Sequence, residues 1–440
     1  MSKPNIIYLH SHDTGRYVQP YGYSVTTPNI QRLAEEGVLF RQTYCAAPTC
    51  SASRAALLTG QSAHSAGMTG LVNRGWQLND YRQHLLHTLK AAGYHTVLGG
   101  LQHLHRDRTY LGFDRIVAPE KSTRVADVAP LAADFLKCEP AQPFFLDVGF
   151  FETHRDFPQA DPASARYLRP PEPLPDTPEA RQDMADFAKM AADLDRGVGL
   201  ILDALTESGL ADNTLVIQTT DHGLAFPAMK CNLTGHGMGV LHIMRGPGGF
   251  QGGRVVDALL SHIDIFPTLC ELLAIAPPPW LEGQSFLPVI RGERAEVNEA
   301  IFGEVTYHAA YEPKRAVRTQ RYNYIRRYDG RQRPVLPNCD DSTSKDLWLV
   351  NGWATRSFAE EQLYDLLFDP NEANNVAEDA AYIDVLAMMR RRLDEWMSAT
   401  DDPLLQSAPV PMPAEAVVND PDGLSPRETP SVATHKRPTA

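Results

Sequence analysis

The chain has 440 residues, enough for a large core and two unequal domains. A net charge of −13 and a pI ≈ 5.6 speak against a nucleic-acid surface, so an anionic ligand needs a local cationic pocket. No stretch approaches roughly eighteen uninterrupted apolar residues, and Met1-Ser-Lys-Pro runs straight into Asn5-Ile-Ile-Tyr-Leu9, so the expectation is a cytoplasmic protein without membrane helix or signal peptide.

Strand and helix signals alternate along the chain. Asn5–Ser11 is an apolar run closing on polar residues. Thr26-Thr-Pro-Asn29 opens a helix that runs to Glu36 and stops at Gly37. Val38–Cys45 reads as one strand, Ser51–Leu58 as a short helix, Tyr81–Ala92 as a helix stopped by Gly93, and His95–Gly99 as a strand. Phe144–Phe150 and Thr214–Thr219 are further buried strands, and Leu241–Met244 and Ala300–Gly303 add two more. Arg155–Thr177 is a Pro-rich polar loop, and Met184–Leu205 a long amphipathic helix. Apolar runs between helices predict an α/β core with a mostly parallel central sheet covered on both faces. Such sheets carry function at the carboxyl ends of their strands, where Asp13, His154, Asp221 and His222 fall.

From about Glu312 the texture changes. Ala316–Ile325 alternates like a half-exposed antiparallel strand, and Glu361–Leu367 leads through Asp369-Pro-Asn-Glu to a helix over Ala380–Ser398. The expected organisation is a main domain over 1–312 and a smaller C-terminal α+β subdomain with an antiparallel sheet over 313–406. The Pro- and Ala-rich tail, 407–440, is either disordered or an extended arm on the partner subunit of a homo-oligomer. The six cysteines, at 45, 50, 138, 231, 270 and 339, show neither disulfide nor zinc spacing.

Cys50-Ser-Ala-Ser-Arg-Ala-Ala-Leu-Leu-Thr-Gly60 is the most informative run. Read alone, its cysteine is a packed thiol opening an Ala/Leu helix. The placement of Ser53, Arg54 and Thr59-Gly60 after it resembles the signature of the type I sulfatases of the alkaline phosphatase superfamily, C-x-[PA]-S-R-x4-T-G. The resemblance implies an alkaline-phosphatase-like core. It also implies that a formylglycine-generating enzyme oxidises Cys50 to formylglycine. A hydroxyl of the aldehyde hydrate then attacks the sulfur of a small anionic ester, and sulfate is eliminated as the aldehyde re-forms. An ordinary serine ester would need a second attack by water.

The same resemblance assigns further residues. His12-Asp13 stands where the family carries a metal-binding Asp-Asp pair, and Asp221-His222-Gly223 matches its second pair. These imply one divalent ion, Ca²⁺ in the first place, with the histidines raising the case for Mn²⁺ and Mg²⁺ as a further alternative. Arg54 matches the arginine that binds hydrate and sulfate, and its helix N-terminus adds free N–H groups. His154 and Lys230 match a histidine and a cation that contact the sulfate or the leaving group. His103 matches the histidine of G-K-x-H, but Leu101 replaces the lysine. His105, Arg106 or Arg108 is the expected substitute cation. Glu304, Thr306 and His308 follow a predicted strand and are candidates for the sugar or aryl pocket.

Runs at Ser53–Gly60, His64–Leu71, Asp195–Leu200, Asp212–Ile217, Phe302–Glu304 and Leu363–Asn375 are similar to those of N-sulfoglucosamine sulfohydrolases and related bacterial sulfatases. The implied activity is hydrolysis of sulfate esters or N-sulfate on a sugar or aryl group. Leu101 supports an alternative, a phosphonate monoester or phosphodiester hydrolase with the same nucleophile. A non-catalytic anion- or metal-binding protein with an unmodified thiol is the third reading.

Overall fold

The computed structural model describes residues 3–430. In chain order its strands are β1 (Asn5–Ser11), β2 (Val38–Phe40), β3 (Thr43–Tyr44), β4 (His95–Gly100), β5 (Arg115–Ile116), β6 (Phe144–Gly149) and β7 (Thr214–Thr220). They continue with β8 (His242–Arg245), β9 (Arg254–Val256), β10 (Leu260–Ser261), β11 (Ile301–Tyr307), β12 (Tyr311–Arg318), β13 (Tyr322–Arg327) and β14 (Glu361–Asp365). An eight-stranded sheet of order β5-β4-β6-β1-β7-β8-β2-β9 forms the centre. Its neighbours pair in parallel except around β8, which is antiparallel to β7 and β2.

Both faces of this sheet are covered, which explains the continuous apolar runs. Alternation along β1 sends Ile7 and Leu9 to one layer with helices Pro28–Glu36, Val125–Lys137 and Pro178–Glu207. Ile6 and Tyr8 face the other layer, with helices Cys50–Thr59, Leu85–Ala91 and Ile265–Leu272. Every residue of Cys50–Thr59 is buried, so its small side chains are what allow close packing. Gly60 ends that helix at φ 68, a left-handed backbone that suits glycine.

Some expectations shift. The strand read over Val38–Cys45 is two strands in different sheets. β2 joins the large sheet, the chain turns outward at Arg41-Gln42, and β3 pairs with β10. The helix read over Tyr81–Ala92 is broken at His84, whose extended backbone caps Leu85–Ala91 and whose Nδ1 accepts from Leu86 N. The strand read at Ala300–Gly303 is β11, and it belongs to a second sheet, because its partners are β12 and not the central strands. Among the described residues no helix is long and apolar enough to cross a membrane.

The second sheet is antiparallel, of order β11-β12-β13-β14. Helix Ile383–Ala399 lays Leu386, Met389, Leu393 and Met397 against Val317, Tyr324 and Leu363, a helical stripe on a strand face. Arg315, fully buried on β12, ties the end of that helix to the sheet. It donates to both carboxylate oxygens of Asp402 at 2.5 and 2.9 Å and stands 3.6 Å from Glu304 on β11.

As far as Pro430 the tail is packed on its own chain. Residues 407–430 form no helix or strand, yet Val410, Ala416 and Val418 are buried on their own chain. The apolar contacts hold the segment down despite its Pro-rich composition. Residues 431–440 lie outside the described residues.

Candidate active site

Four parallel strands deliver the site at their carboxyl ends. β1 runs into His12-Asp13, β4 leads to His103, β6 leads to His154, and β7 runs into Asp221-His222. The crossing of the first and last of these loops is tight. Gly15 N donates to His222 O at 2.9 Å, and a side chain on Gly223 would collide with the His236 carbonyl. Asp13 takes a left-handed φ of 51, and its N–H donates to Asp221 Oδ1 at 2.8 Å. Such strained backbone persists only where surrounding structure enforces it, which is common at functional sites.

His12, Asp13, Cys50, Asp221 and His222 are all buried and each offers a ligand atom within 4.8 Å of the others. His12 Nδ1 lies 2.8 Å from Asp13 Oδ1 and 3.0 Å from Asp221 Oδ2. His222 Nδ1 must carry a proton, because its partner at 3.0 Å is the Gly223 carbonyl. In the neutral ring its Nε2 then turns a lone pair toward Cys50 Sγ, 3.4 Å away, and Asp13 Oδ1, 3.3 Å away. Two acceptors facing each other in a buried site call for a cation between them. Mixed oxygen and imidazole donors suit a divalent metal.

The charges around this cluster make the same point. Burial alone would raise the pKa of Asp13 and Asp221, but Lys230 and the nearby histidines hold Asp13 well below the ordinary carboxylate range, and His12, His222 and Arg54 do the same for Asp221. Lys230 donates to Asp13 Oδ2 at 2.9 Å and stands 3.1 Å from Asp340 Oδ2. Burial opposes its charge, yet these two carboxylates push its pKa well up. Asp13, Asp221 and Asp340 outnumber Arg54 and Lys230, so an incoming anion needs additional positive charge here. Burial also pushes the Cys50 thiol well above its ordinary range, despite Lys230, so the unmodified thiol is a poor nucleophile.

Arg54 sits one turn beyond Cys50. Its Nη2 donates to Ser11 O at 3.0 Å and Asp221 Oδ2 at 2.9 Å, while its buried Nε has no partner. Its Nη1 meets His10 Nδ1. A guanidinium can only donate, so His10 Nδ1 accepts and the ring proton sits on Nε2, which donates to Asp147 Oδ1 at 2.9 Å. Burial and the Arg54 charge hold His10 below its ordinary pKa against Asp147, consistent with a neutral ring. Gly149 makes the room, since a side chain there would strike the His10 ring. His10, Asp147 and Asp340 were not singled out from sequence. Asp147 had left a signal, a lone carboxylate inside the buried run Phe144–Gly149.

The two remaining histidines of the family pattern border the cluster. The His154 and His103 ring centroids lie 4.7 and 5.7 Å from that of His12. His154 Nδ1 donates to Arg155 O at 2.5 Å, leaving Nε2 free. Burial, with the nearby His12 and Arg54, holds His103 well below its ordinary pKa. His308 is buried, and burial with the Lys230 charge holds it well below its ordinary pKa.

The structure does not bring His105 or Glu304 to the cluster. His105 stacks on Tyr110 at 4.0 Å and its Nδ1 is engaged by Asp107. Arg106 donates to Val72 O and Asn73 O, and Arg108 to Pro119 O, so backbone carbonyls claim both cations expected to replace the lysine at Leu101. Glu304 is committed to His64 Nδ1 at 2.9 Å and to Arg315. A cavity of ≈ 480 Å³ opens between the two sheets' domains, touching Lys230, Glu312, Lys314 and Asn338 but not Cys50 or its carboxylates. Lys230 lines both, while Cys50 and the carboxylates of the buried cluster lie outside this cavity.

Comparison with known proteins bears on this geometry. The sulfatase family profile matches residues 4–275, and that of the N-sulphoglucosamine sulphohydrolase C-terminal region matches 233–338. N-sulphoglucosamine sulphohydrolase of Homo sapiens is 28% identical, over 91% of this chain and 91% of its own. A Delta 4,5-hexuronate-2-O-sulfatase of Bacteroides thetaiotaomicron is 26% identical, over 91% of this chain and 90% of its own. In fold, a 2-O GAG sulfatase superposes with a TM-score of 0.73 at 21% identity, covering 99% of this chain and 98% of that one. A structure solved with its substrate D-glucosamine-2-N,6-O-disulfate gives 0.71 at 19% identity, covering 92% and 100%. With its Cys50 run, its strand-end carboxylates and a family match over more than half its length, this chain belongs to the sulfatase family, hydrolases of sulfate esters.

Proposed function

We propose that this protein removes sulfate, as N-sulfate or O-sulfate, from sugars, using a formylglycine made from Cys50 and one divalent metal. The observation that carries the reading is Cys50 Sγ beside the His222 Nε2 lone pair, within the buried His12, Asp13 and Asp221 donor set. The substrates named for the human and Bacteroides thetaiotaomicron relatives support the sugar class. Asp13, Asp221 and His222 would hold the metal, with His12 at its edge; the ion would supply positive charge to the sulfate oxygens. Formylglycine would supply a hydrate hydroxyl as nucleophile.

The chain's own residues then divide the work. Arg54, fixed by Asp221, Ser11 O and His10, keeps its free Nε for the group at position 50. Lys230 Nζ, held between Asp13 and Asp340, offers fixed charge to the sulfate. His103, neutral in its buried setting, accepts a proton from position 50. His154, half-buried with its Nδ1–H on Arg155 O, delivers one from Nε2 in its doubly protonated form to the leaving oxygen or nitrogen. Leu101 favours one second reading, a phosphonate monoester hydrolase, because no cation occupies the family lysine position. Sulfate release from N-sulfoglucosamine and from O-sulfated hexosamines, beside turnover of an aryl phosphonate, tests the reading. Sulfate release that is faster and lost on chelation is the expected result. Turnover of the phosphonate alone would favour the second reading.

A further inference from the structure

The last described stretch of chain is fastened around the approach to this site. Tyr307 Oη donates to Val410 O at 2.5 Å, and Ala416 packs onto Gly75. Beyond that point the chain is pinned repeatedly, and Arg331 Nη2 also donates to Asp422 Oδ1 at 2.5 Å. Val417 N donates to Arg74 O at 3.0 Å and Asn419 N to Ala309 O at 2.8 Å. Arg74 Nη2 donates to Pro426 O at 3.2 Å, and Ser425 Oγ to Asp341 Oδ2 at 2.5 Å. Arg427 Nη2 donates to Asp156 Oδ1 at 2.7 Å.

These anchors sit beside the site. Ala309 follows His308, Asp341 follows Asp340, and Asp156 lies just past His154. Asp13, Cys50, Arg54, Asp221, His222 and Lys230 are buried, whereas His103, His154 and Asp340 keep partial exposure. Those three are the members of the site that solvent reaches, and the segment's bonds to Asp341 and Asp156 lie beside two of them. The segment is also braced internally. Asn419 Nδ2 donates to Ser425 O and Glu428 O at 3.3 and 2.9 Å, and Glu428 Oε1 accepts from Leu424 N and Ser425 N at 2.7 and 3.1 Å. It is an arch and not a dangling strand.

We propose that residues 417–428 form one wall of the entrance to the Cys50 site and select substrates by length, admitting a sulfated unit at the end of a saccharide. An interior unit leaves the site in two directions, and the arch from Arg74 to Asp156 occupies one of them. The proposal rests on reading the Cys50 cluster as the sulfatase site.

Two altered chains test it, one ending at Val418 and one full-length with Arg427→Glu, which sets a carboxylate against Asp156 and Asp341. Circular dichroism and melting check that each folds. Binding is titrated in the Cys50→Ala background, so that no ester is cleaved. The probes are a sulfated monosaccharide and a decasaccharide sulfated on interior units alone. Both changes are expected to leave the monosaccharide Kd within about threefold and to tighten decasaccharide binding by about tenfold or more. Unchanged decasaccharide binding, or parallel losses for both probes, would overturn selection by length while leaving the site reading intact. Binding of neither probe by any chain would contradict the site reading and the proposal together.

Discussion

Replacing His10 by Phe keeps a ring in the space that Gly149 leaves but removes both ring nitrogens. Two consequences can be separated. Asp147, 1% exposed, loses the donor at 2.9 Å, and stranding a buried carboxylate costs about 3 kcal/mol of stability. Arg54 loses the acceptor for Nη1 and keeps only Ser11 O and Asp221. A hydrogen bond from a charged donor is worth about 1.5–3 kcal/mol, so a guanidinium set loose by that much lowers kcat/KM by about 10- to 100-fold. Adding Asp147→Leu removes the stranded charge and restores most of the stability, but leaves Arg54 still short of its acceptor. Denaturant unfolding and steady-state hydrolysis of an aryl sulfate read the two effects. The single variant is expected to be unstable and slow, and the double variant stable and slow. A double variant that is both stable and as fast as the parent would refute the reasoning, because His10 would then serve only to satisfy Asp147.

Lys230→Met leaves Asp13 and Asp340 facing each other without their shared ammonium. Turnover is expected to fall by about 100- to 1000-fold and stability by about 3–5 kcal/mol, both less so in Lys230→Arg, by kinetics and unfolding. Leu101→Lys returns a cation to a partly exposed position whose N–H is already fixed on Gly149 O. The ratio of aryl sulfate to aryl phosphonate kcat/KM should rise by about tenfold, and an unchanged ratio would place this position off the anion. Stability should fall in acid. Burial holds His84 and His262 at about 3, below the ordinary 6.5, so the unfolded chain takes up protons first and stability is lost as pH falls from 6.5 toward 3. Asp264, raised by burial to about 6, acts in the opposite sense over the upper part of that window. These three groups together contribute a loss of about 3 kcal/mol between pH 7.5 and 5, and other buried histidines held low, such as His242, add to the loss that urea unfolding measures.

The central strands were legible because both of their faces are buried. Asn5–Ser11, Phe144–Gly149 and Thr214–Thr220 are buried throughout and carry the short apolar cores 6–9, 144–146 and 215–217. Which sheet a strand joins is not written in its periodicity. Val38–Cys45 therefore looked like one strand although Arg41 and Gln42 lie between two sheets, and the strand read at Ala300–Gly303 was placed in the wrong one. At the tail, three apolar residues, Val410, Ala416 and Val418, are buried within a Pro-rich setting. At the site, residues within short patterns were found: Cys50 and Arg54 in one helix, and the pairs at the ends of β1 and β7. Asp340 and His10 act through partners more than forty positions away, and no local pattern carries such pairings. His105 and Glu304 show the converse. Their sequence neighbourhood pointed to the pocket, but Tyr110 and Asp107 claim one, and His64 and Arg315 the other.

The nucleophile at position 50 is the claim on which the account turns. Peptide mass spectrometry across Tyr44–Arg54, on protein from its own host that releases sulfate, reads it directly. The account predicts loss of the thiol sulfur with gain of an aldehyde at residue 50. An unmodified Cys50 in protein that still turns over sulfate esters would contradict it.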